Sequence, residues 1–310
     1  MTETVLGVAN MWLHRCELEG LERATLRSYR QHVRIYIGPK LGDVPVAELT
    51  MPMVRVLIDE MLTSSTKAMA KKILGTTRAI MNEAQGRGLV GMNVAREVRL
   101  RNSRRHEQEK TIPTKVEIRR LIERCPDRYR PMLLTAIFAG LRSSELRGLR
   151  WSNVDFDKNV ICIRQRADRW GVLSSPKSRA GRRDIAMAPL VSETLRNWKT
   201  RCPQGELNLV FPNGAGNVEG HANLFHRFFK PLMLECAIVN EEGKPRFSFH
   251  AIRHAAASLF IEQGWTPKKI QMLMGHSTIQ MTFDCYGHLF EDSAGDLERM
   301  AKVQRDLLAA

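Results

Sequence analysis

Residues 273–288 read Leu-Met-Gly-His-Ser-Thr-Ile-Gln-Met-Thr-Phe-Asp-Cys-Tyr-Gly-His. Glycine commonly ends helices, so one helix is expected to end at Gly275. Ser277 is a suitable N-cap for a further helix that carries Tyr286. That helix would carry Tyr286 about two and a half turns beyond Ser277. The chain has four tyrosines, and core packing is the usual role of a single one, so the meaning of Tyr286 depends on the residues before it.

A histidine and an arginine three positions apart precede this stretch, in His250-Ala-Ile-Arg253. Residues i and i+3 share one face of a helix, so both side chains would point at the same ligand while Ile252 turns toward the core. Taken alone, such a pair is more often structural, with the histidine bonded to backbone and the arginine in a salt bridge. The geometry permits a phosphate site without requiring one.

Residues 139–146 read Ala-Gly-Leu-Arg-Ser-Ser-Glu-Leu. An apolar helix stops at Gly140, and a new helix is expected to start at Ser143 with Arg142 just before it. A guanidinium at a helix N-terminus adds to free backbone donors and to the positive end of the dipole, which favours phosphate. Glu145 could fix a neighbouring arginine or histidine. The alternative is that Arg142 only pairs with Glu145.

Residues 175–184 read Ser-Pro-Lys-Ser-Arg-Ala-Gly-Arg-Arg-Asp and form a basic turn between two expected strands. Such a hairpin could place Lys177 in a DNA groove. A lysine can donate a proton when burial or neighbouring cations lower its pKa. By itself the segment is as easily a solvated basic turn.

Composition favours a nucleic-acid partner. The 310 residues carry a formal net charge of +15, and a surplus of that size indicates a polyanionic ligand, with nucleic acid ahead of an anionic membrane surface. The six cysteines form no C-x-x-C pair, which argues against a zinc site or a disulfide framework. No acidic metal cluster is visible, and we expect neither a metal nor a cofactor.

The termini and the apolar runs predict no membrane partner. The longest nearly apolar run, residues 131–141, is too short for a bilayer, which needs about 20 residues. The first residues hold no basic region followed by an apolar core, as a secretory signal would. We therefore expect a cytoplasmic protein.

Length predicts about two domains. Apolar residues recur every three or four positions over 5–99, which predicts an all-α domain of four helices in residues 1–99. Thr25 is expected to cap one of these helices, which Pro39 and Gly42 then end. Residues 100–113 lose the periodicity and are dense in charge, as in a linker.

Residues 114–310 are expected to form a mixed α+β domain. Most of this part is helical, but residues 160–163 and 184–187 read as short strands. The chain as a whole is therefore predicted to be mainly α with a small antiparallel β-sheet. Apolar residues at helical spacing in the tail could pack on their own domain or on a neighbouring protomer: Leu297, Met300, Ala301, Leu307 and Leu308.

In this order and spacing, the four elements resemble the catalytic domain of tyrosine recombinases, the phage integrase family. Residues 1–99 are similar to the family's helical core-binding domain, including Thr25-Leu26-Arg27-Ser28-Tyr29, so the resemblance spans nearly the whole chain. It identifies Arg142 as the first family arginine, Lys177 as the hairpin lysine, His250 and Arg253 as the H-x-x-R pair, His276 as the G-H histidine and Tyr286 as the nucleophile, with Glu145 in support.

The resemblance implies a site-specific recombinase that cuts and rejoins DNA through a 3′-phosphotyrosyl bond to Tyr286. Arg142 and Arg253 would hold the non-bridging oxygens, with His276 adding a hydrogen bond. His250 would be the base for Tyr286, and Lys177 would protonate the 5′ oxygen.

The partners that the resemblance implies are double-stranded DNA with inverted-repeat core sites and a homotetramer on two duplexes, in a bacterial cell. Accessory excision or DNA-bending factors are further expected partners. Two alternatives stay open: DNA relaxation of the type IB topoisomerase kind, and a non-catalytic DNA-binding protein of the same fold.

Overall fold

The computed structural model describes residues 3–101, 111–290 and 293–308, and within these ranges no side chain at 288, 293–299 or 303. The chain divides into two compact units, residues 1–108 and 109–310. Residues 102–110 of the expected linker lie outside the described residues. In the described ranges, no helix is both long and apolar enough to cross a membrane.

The first unit is helical throughout its described part. Its helices are α1 (Val5–Leu18), α2 (Arg23–His32), α3 (Gly38–Leu41), α4 (Met51–Ser64) and α5 (Lys67–Gly86), with 3₁₀ turns at Val46–Glu48 and Val94–Arg96. The central helix α5 buries one face, including Ile73 and Ile80, in the core of this unit.

Thr25 as the cap of α2 and Pro39 as its end are wrong. Gly42 does follow the last helical residue, Leu41, as its C-cap. Helix α2 starts at Arg23 after Glu22, and Thr25 lies inside it. The chain continues through a π-helical turn, Val33–Ile37, into α3. Pro39 lies in the first turn of α3, where a missing N–H costs no hydrogen bond, so proline marks the start of a helix there and not its end.

The second unit contains the remaining helices and all the strands of the described ranges. Its elements are α6 (Lys115–Arg124), α7 (Arg130–Ala139), α8 (Ser143–Arg147), β1 (Val154–Asp155), β2 (Val160–Ile163), β3 (Arg166–Ala167), β4 (Leu173–Ser174), β5 (Arg183–Ala186), α9 (Pro189–Lys199), α10 (His221–Asn223), α11 (Lys230–Glu235), α12 (His250–Glu262), α13 (Pro267–Met274), α14 (Ile279–Tyr286) and α15 (Ser293–Leu308). The predicted fold class, mainly α with a small antiparallel sheet, is confirmed.

The sheet has the order β1-β2-β5, and both pairings are antiparallel. Ile161 faces Ile185 in register and both are buried, which anchors the sheet to the core. The predicted single hairpin between these strands is wrong in detail. A separate two-stranded ribbon, β3 and β4, is inserted before Lys177, and a 3₁₀ turn at Arg179–Gly181 leads into β5.

Helix α7 lies in the core of this unit and positions the site. It is apolar on nearly every side, as fully buried helices are. Gly140 ends it in the left-handed conformation, φ 60°, and a Cβ at this position would come within 2.6 Å of Met274 Cε. The C-terminal ends of α7 and α13 therefore meet at Gly140. From this glycine the chain continues to Arg142.

Gly148 after α8 offers a test of how tightly this region is packed. A Cβ at Gly148 would lie 2.6 Å from the backbone nitrogen of Ala167 in β3. Because backbone cannot rotate away, Gly148→Ala should lower the free energy of unfolding by about 1–3 kcal/mol. Gly214→Ala is the control, since only side-chain atoms of Arg128 come near, at 3.7 Å. Urea unfolding of the two variants should differ; equal midpoints would contradict this packing.

Candidate active site

Arg253 is a deeply buried charged group of the site, with 3% of its surface exposed. Its Nη1 donates to the carbonyl of Gly140 at 2.6 Å, and its Nη2 donates to the carbonyl of Met274. Both acceptors lie at C-terminal ends of helices, where carbonyls lack partners in the helix and carry the negative end of the dipole. The guanidinium thus joins α7 to α13, and burial, aided by the charge of Arg142, lowers its pKa.

Glu145 is a buried carboxylate shared by two arginines. Arg183 binds both of its oxygens, at 3.0 and 2.9 Å. Arg142 donates from Nη1 at 2.8 Å and from its own backbone nitrogen at 2.9 Å. Arg142 also donates to the carbonyl of Gly275 at 2.8 Å, so Glu145 is not its only partner.

The surrounding arginines determine the charge of Glu145. Burial alone would raise its pKa, but the hydrogen bond and charge of Arg183, together with Arg142 and Arg253, lower it to about 2. The carboxylate is therefore ionised at neutral pH, and it balances only part of the positive charge around it. Helix α8 has five residues, so the side chains contribute more to this field than the expected helix N-terminus.

His276 follows Gly275, which ends α13 with φ 60°. Its Nδ1 lies 2.9 Å from Oγ1 of Thr282, a residue of α14 with no exposed surface. Burial and the nearby charges of Arg253, Arg142 and Arg183 lower the pKa of His276 to about 3. At neutral pH it is a neutral imidazole whose orientation is set by Thr282. The expected cap of α14, Ser277, is replaced by Thr278, which accepts from Met281 N.

Tyr286 is at the end of α14, and its ring is 1% exposed. It packs with Ala256, Ala257 and other apolar residues in a small core of its own. Its hydroxyl lies 2.8 Å from Nδ1 of His254, and its ring is nearly parallel to that of His276, at 6.3 Å. Burial raises the pKa of the phenol above its ordinary value, against the opposing charge of Arg253.

The structure brings Arg142, Glu145, Arg253, His276 and Tyr286 into one cluster. His250 is exposed at the start of α12 and contacts the ring of His254 edge-on, at 5.0 Å. Lys177 is exposed in the segment after β4. That segment reaches the site through Ala180, whose carbonyl would lie 2.9 Å from a Cβ at Gly275.

Sequence reasoning missed three polar residues of the cluster: His254, Thr282 and Arg183. The helical period contained a signal for two of them. His254 is four residues after His250, and Thr282 is four residues before Tyr286, so each shares a helix face with a predicted residue. Nothing in the sequence separates Arg183 from the other arginines of the basic segment. In the described ranges, no group of three His, Cys, Asp or Glu is placed to hold a metal ion.

Two family models match the sequence. The phage integrase family model covers residues 113–292, and the phage integrase central domain model covers residues 7–101. A tyrosine recombinase XerC-like protein of Caldanaerobacter subterraneus is 23% identical, over 92% of this chain and 79% of the relative. The integrase of Mycobacterium phage D29 is 26% identical, over 90% and 73%.

Solved structures share the fold. An integrase of the transposon Tn1549, in complex with a circular intermediate DNA, superposes with a TM-score of 0.79 at 20% identity, covering 96% of this chain and 98% of that one. A lambda integrase tetramer bound to a Holliday junction gives a TM-score of 0.70 at 19% identity, covering 89% and 78%.

The environment of His276 predicts its titration. Because burial and three arginines favour the neutral imidazole, its nitrogen resonances should stay unchanged from about pH 8 to about pH 5, although an ordinary histidine titrates near 6.5 in that window. Two-dimensional ¹H–¹⁵N NMR measures this directly. Thr282→Val should shift the Nδ1 resonance and Thr282→Ser should preserve it. A midpoint near 6.5 in the unaltered protein would contradict the described surroundings.

Proposed function

The chain belongs to the phage integrase family of tyrosine recombinases, and from this premise we propose that it cuts and rejoins DNA at specific sites through a 3′-phosphotyrosyl bond to Tyr286. In this role it integrates or excises a mobile element. The two units would act as a core-binding domain, residues 1–99, and a catalytic domain, residues 114–310, joined by a linker over 100–113.

The observation that carries this proposal is an excess of positive charge beside a buried tyrosine hydroxyl. Three guanidinium groups surround one carboxylate, and the histidine among them is neutral. A phosphodiester is an anion, and negative charge on its oxygens grows as it is attacked. A site with surplus fixed positive charge, excluded in part from water, stabilises that charge more strongly than water does.

Arg142 and Arg253 have distinct places in this proposal. Arg142 leaves 32% of its side chain exposed, so it can meet a non-bridging oxygen with donors that its present bonds do not use. Arg253 is buried and would stabilise the phosphate through its charge and through the donors that its bonds to Gly140 and Met274 do not use. His276 offers the ring nitrogen that Thr282 does not bind, and His250 completes the set at the exposed start of α12.

The reaction balances without an external energy source. The Tyr286 oxygen loses its proton to a histidine of α12 and forms a bond to phosphorus, and the bond from phosphorus to the 5′ oxygen breaks. The 5′ oxygen takes a proton, for which we propose Lys177 as donor. Because the phosphotyrosyl bond preserves the phosphoester, a 5′ hydroxyl from another duplex can reverse the step and exchange strands.

The proposed partners are double-stranded DNA with inverted-repeat core sites and three further copies of this chain. Basic residues that are exposed in the first unit, among them Arg27, Arg34, Lys67 and Lys71, are suited to phosphate contacts.

Lambda integrase, which has a related fold, forms a tetramer bound to a Holliday junction in its solved structure, and this supports the proposed tetramer. In the tail, Met300, Leu307 and Leu308 are exposed and available to a neighbouring protomer; the side chain of Leu297 lies outside the described residues. Accessory excision or DNA-bending factors would decide between integration and excision.

Replacing Tyr286 tests the central claim. Tyr286→Phe removes one oxygen and should preserve the fold and DNA binding while abolishing covalent complexes. A nicked suicide substrate, built on the core site found by footprinting, traps the complex for gel analysis. Covalent attachment by Tyr286→Phe would show that another residue is the nucleophile. Supercoil relaxation by the unaltered protein without recombination of paired sites would favour the topoisomerase reaction.

The role of Lys177 has a chemical test. If Lys177 protonates the 5′ oxygen, Lys177→Ala should slow cleavage by roughly 10²- to 10⁴-fold, the usual contribution of general acid catalysis. A bridging 5′ sulfur departs without a proton, so it should restore most of the rate of Lys177→Ala. Arg142→Ala should stay defective on sulfur, because the non-bridging charge still needs compensation. Rescue of Arg179→Ala or Arg182→Ala in place of Lys177→Ala would put the acid elsewhere in the basic segment.

A further inference from the structure

His254 is the residue that the Tyr286 hydroxyl contacts, although the sequence pattern pointed to His250. It directly follows Arg253 on α12 and is half-buried. Its Nδ1 lies 2.8 Å from the Tyr286 oxygen, which is within the distance for direct proton transfer. The contact joins α12 to the end of α14.

A buried phenol needs a base at this atom. Burial raises the pKa of Tyr286, so the hydroxyl retains its proton at neutral pH and is a weak nucleophile in that form. A neutral imidazole that is protonated on Nε2 presents a lone pair at Nδ1. That lone pair can accept a hydrogen bond from the phenol before the reaction and the proton itself during it.

We infer that His254 is the catalytic base of Tyr286 and returns the proton to it when the strands are rejoined. This inference rests on the proposed function and names the atom that performs one of its steps. As the Tyr286 oxygen bonds to phosphorus, its O–H bond breaks and the proton moves to Nδ1 of His254. On religation a 5′ hydroxyl attacks the phosphorus and gives its proton to Lys177, the proposed acid of the forward step, and the departing Tyr286 oxygen recovers the proton held by His254.

The positions of the two histidines assign them different tasks. His250 is exposed at the first position of α12 and touches the ring of His254 edge-on. It is suited to meet DNA from the open side, whereas His254 lies between it and the phenol. The other titratable and charged groups near this contact are His276, whose pKa a protonated His254 would help to lower, and Arg253 and Cys285 beside Tyr286.

An asparagine at position 254 separates accepting a proton from holding the phenol. Its amide oxygen can lie near the place of Nδ1 and accept the hydrogen bond, but an amide does not take up a proton at neutral pH. His254→Asn should therefore bind DNA normally and cleave a suicide substrate about 100-fold more slowly, or worse. The matched variant is His250→Asn, which is also expected to be slowed.

The dependence of the single-turnover cleavage rate on pH distinguishes the two variants. In the unaltered protein the rate should fall toward acidic pH, because a protonated imidazole cannot accept the phenol proton. His250→Asn should keep this acid limb. His254→Asn should lose it and cleave at a slow rate that changes little over the same pH range, because water then takes the phenol proton. An acid limb that persists in His254→Asn and disappears in His250→Asn would overturn the assignment.

A measurement without DNA tests the contact itself. Tyr286→Phe should shift the Nδ1 resonance of His254 in ¹H–¹⁵N spectra and leave that of His276 in place, since Thr282 still binds the latter. An unchanged His254 resonance would overturn the inference. If the unaltered protein forms no covalent complex at its footprinted site, the proposed function fails and the base with it. Covalent complexes together with the wrong acid limb would refute His254 alone.

Discussion

The site depends on one buried guanidinium that binds the ends of two helices. Arg253 donates to Gly140 and Met274, where the helix backbone leaves carbonyls without partners. Removing the side chain would leave these buried acceptors unsatisfied, at about 1–3 kcal/mol each. The same bonds fix the direction in which the chain leaves α7 toward Arg142 and leaves α13 toward His276. One residue thus orders both segments that carry polar groups to the cluster.

The arginines of the cluster repel one another, but together they give the site a surplus of positive charge. Arg142 and Arg183 share the carboxylate of Glu145, and Arg253 lies close enough for its charge to act on the same group. Like charges this close repel, and burial weakens the solvation that would relieve them. A folded protein tolerates such an arrangement where an anionic ligand completes it. Glu145 therefore keeps the arginines in place without neutralising them, so the surplus remains available to a phosphate.

The sequence predicted the residues whose types are tied to backbone geometry. Gly140 and Gly275 end helices as expected, and both adopt the left-handed conformation; these turns set Arg142 and His276 at the site. The sequence did not predict His254, because one histidine of that helix face was already assigned. It did not predict Arg183 either, because its role depends on where β5 places its side chain relative to Glu145. Pro39 was misread for a local reason: proline both starts and stops helices, and only the packing of α2 and α3 decides which.

Helix α14 couples Tyr286, the proposed nucleophile, to His276 beside the arginines. Thr282 and Tyr286 are four residues apart and therefore lie on one face; the first binds His276 and the second binds His254. These histidines belong to different segments, so the helix docks by two polar contacts and a small apolar core. A displacement of α14 large enough to free Tyr286 would also release the Nδ1 contact of His276. We therefore expect Tyr286 and His276 to be held in position together or not at all, so that the proposed nucleophile is in place only when the histidine beside the arginines is in place as well.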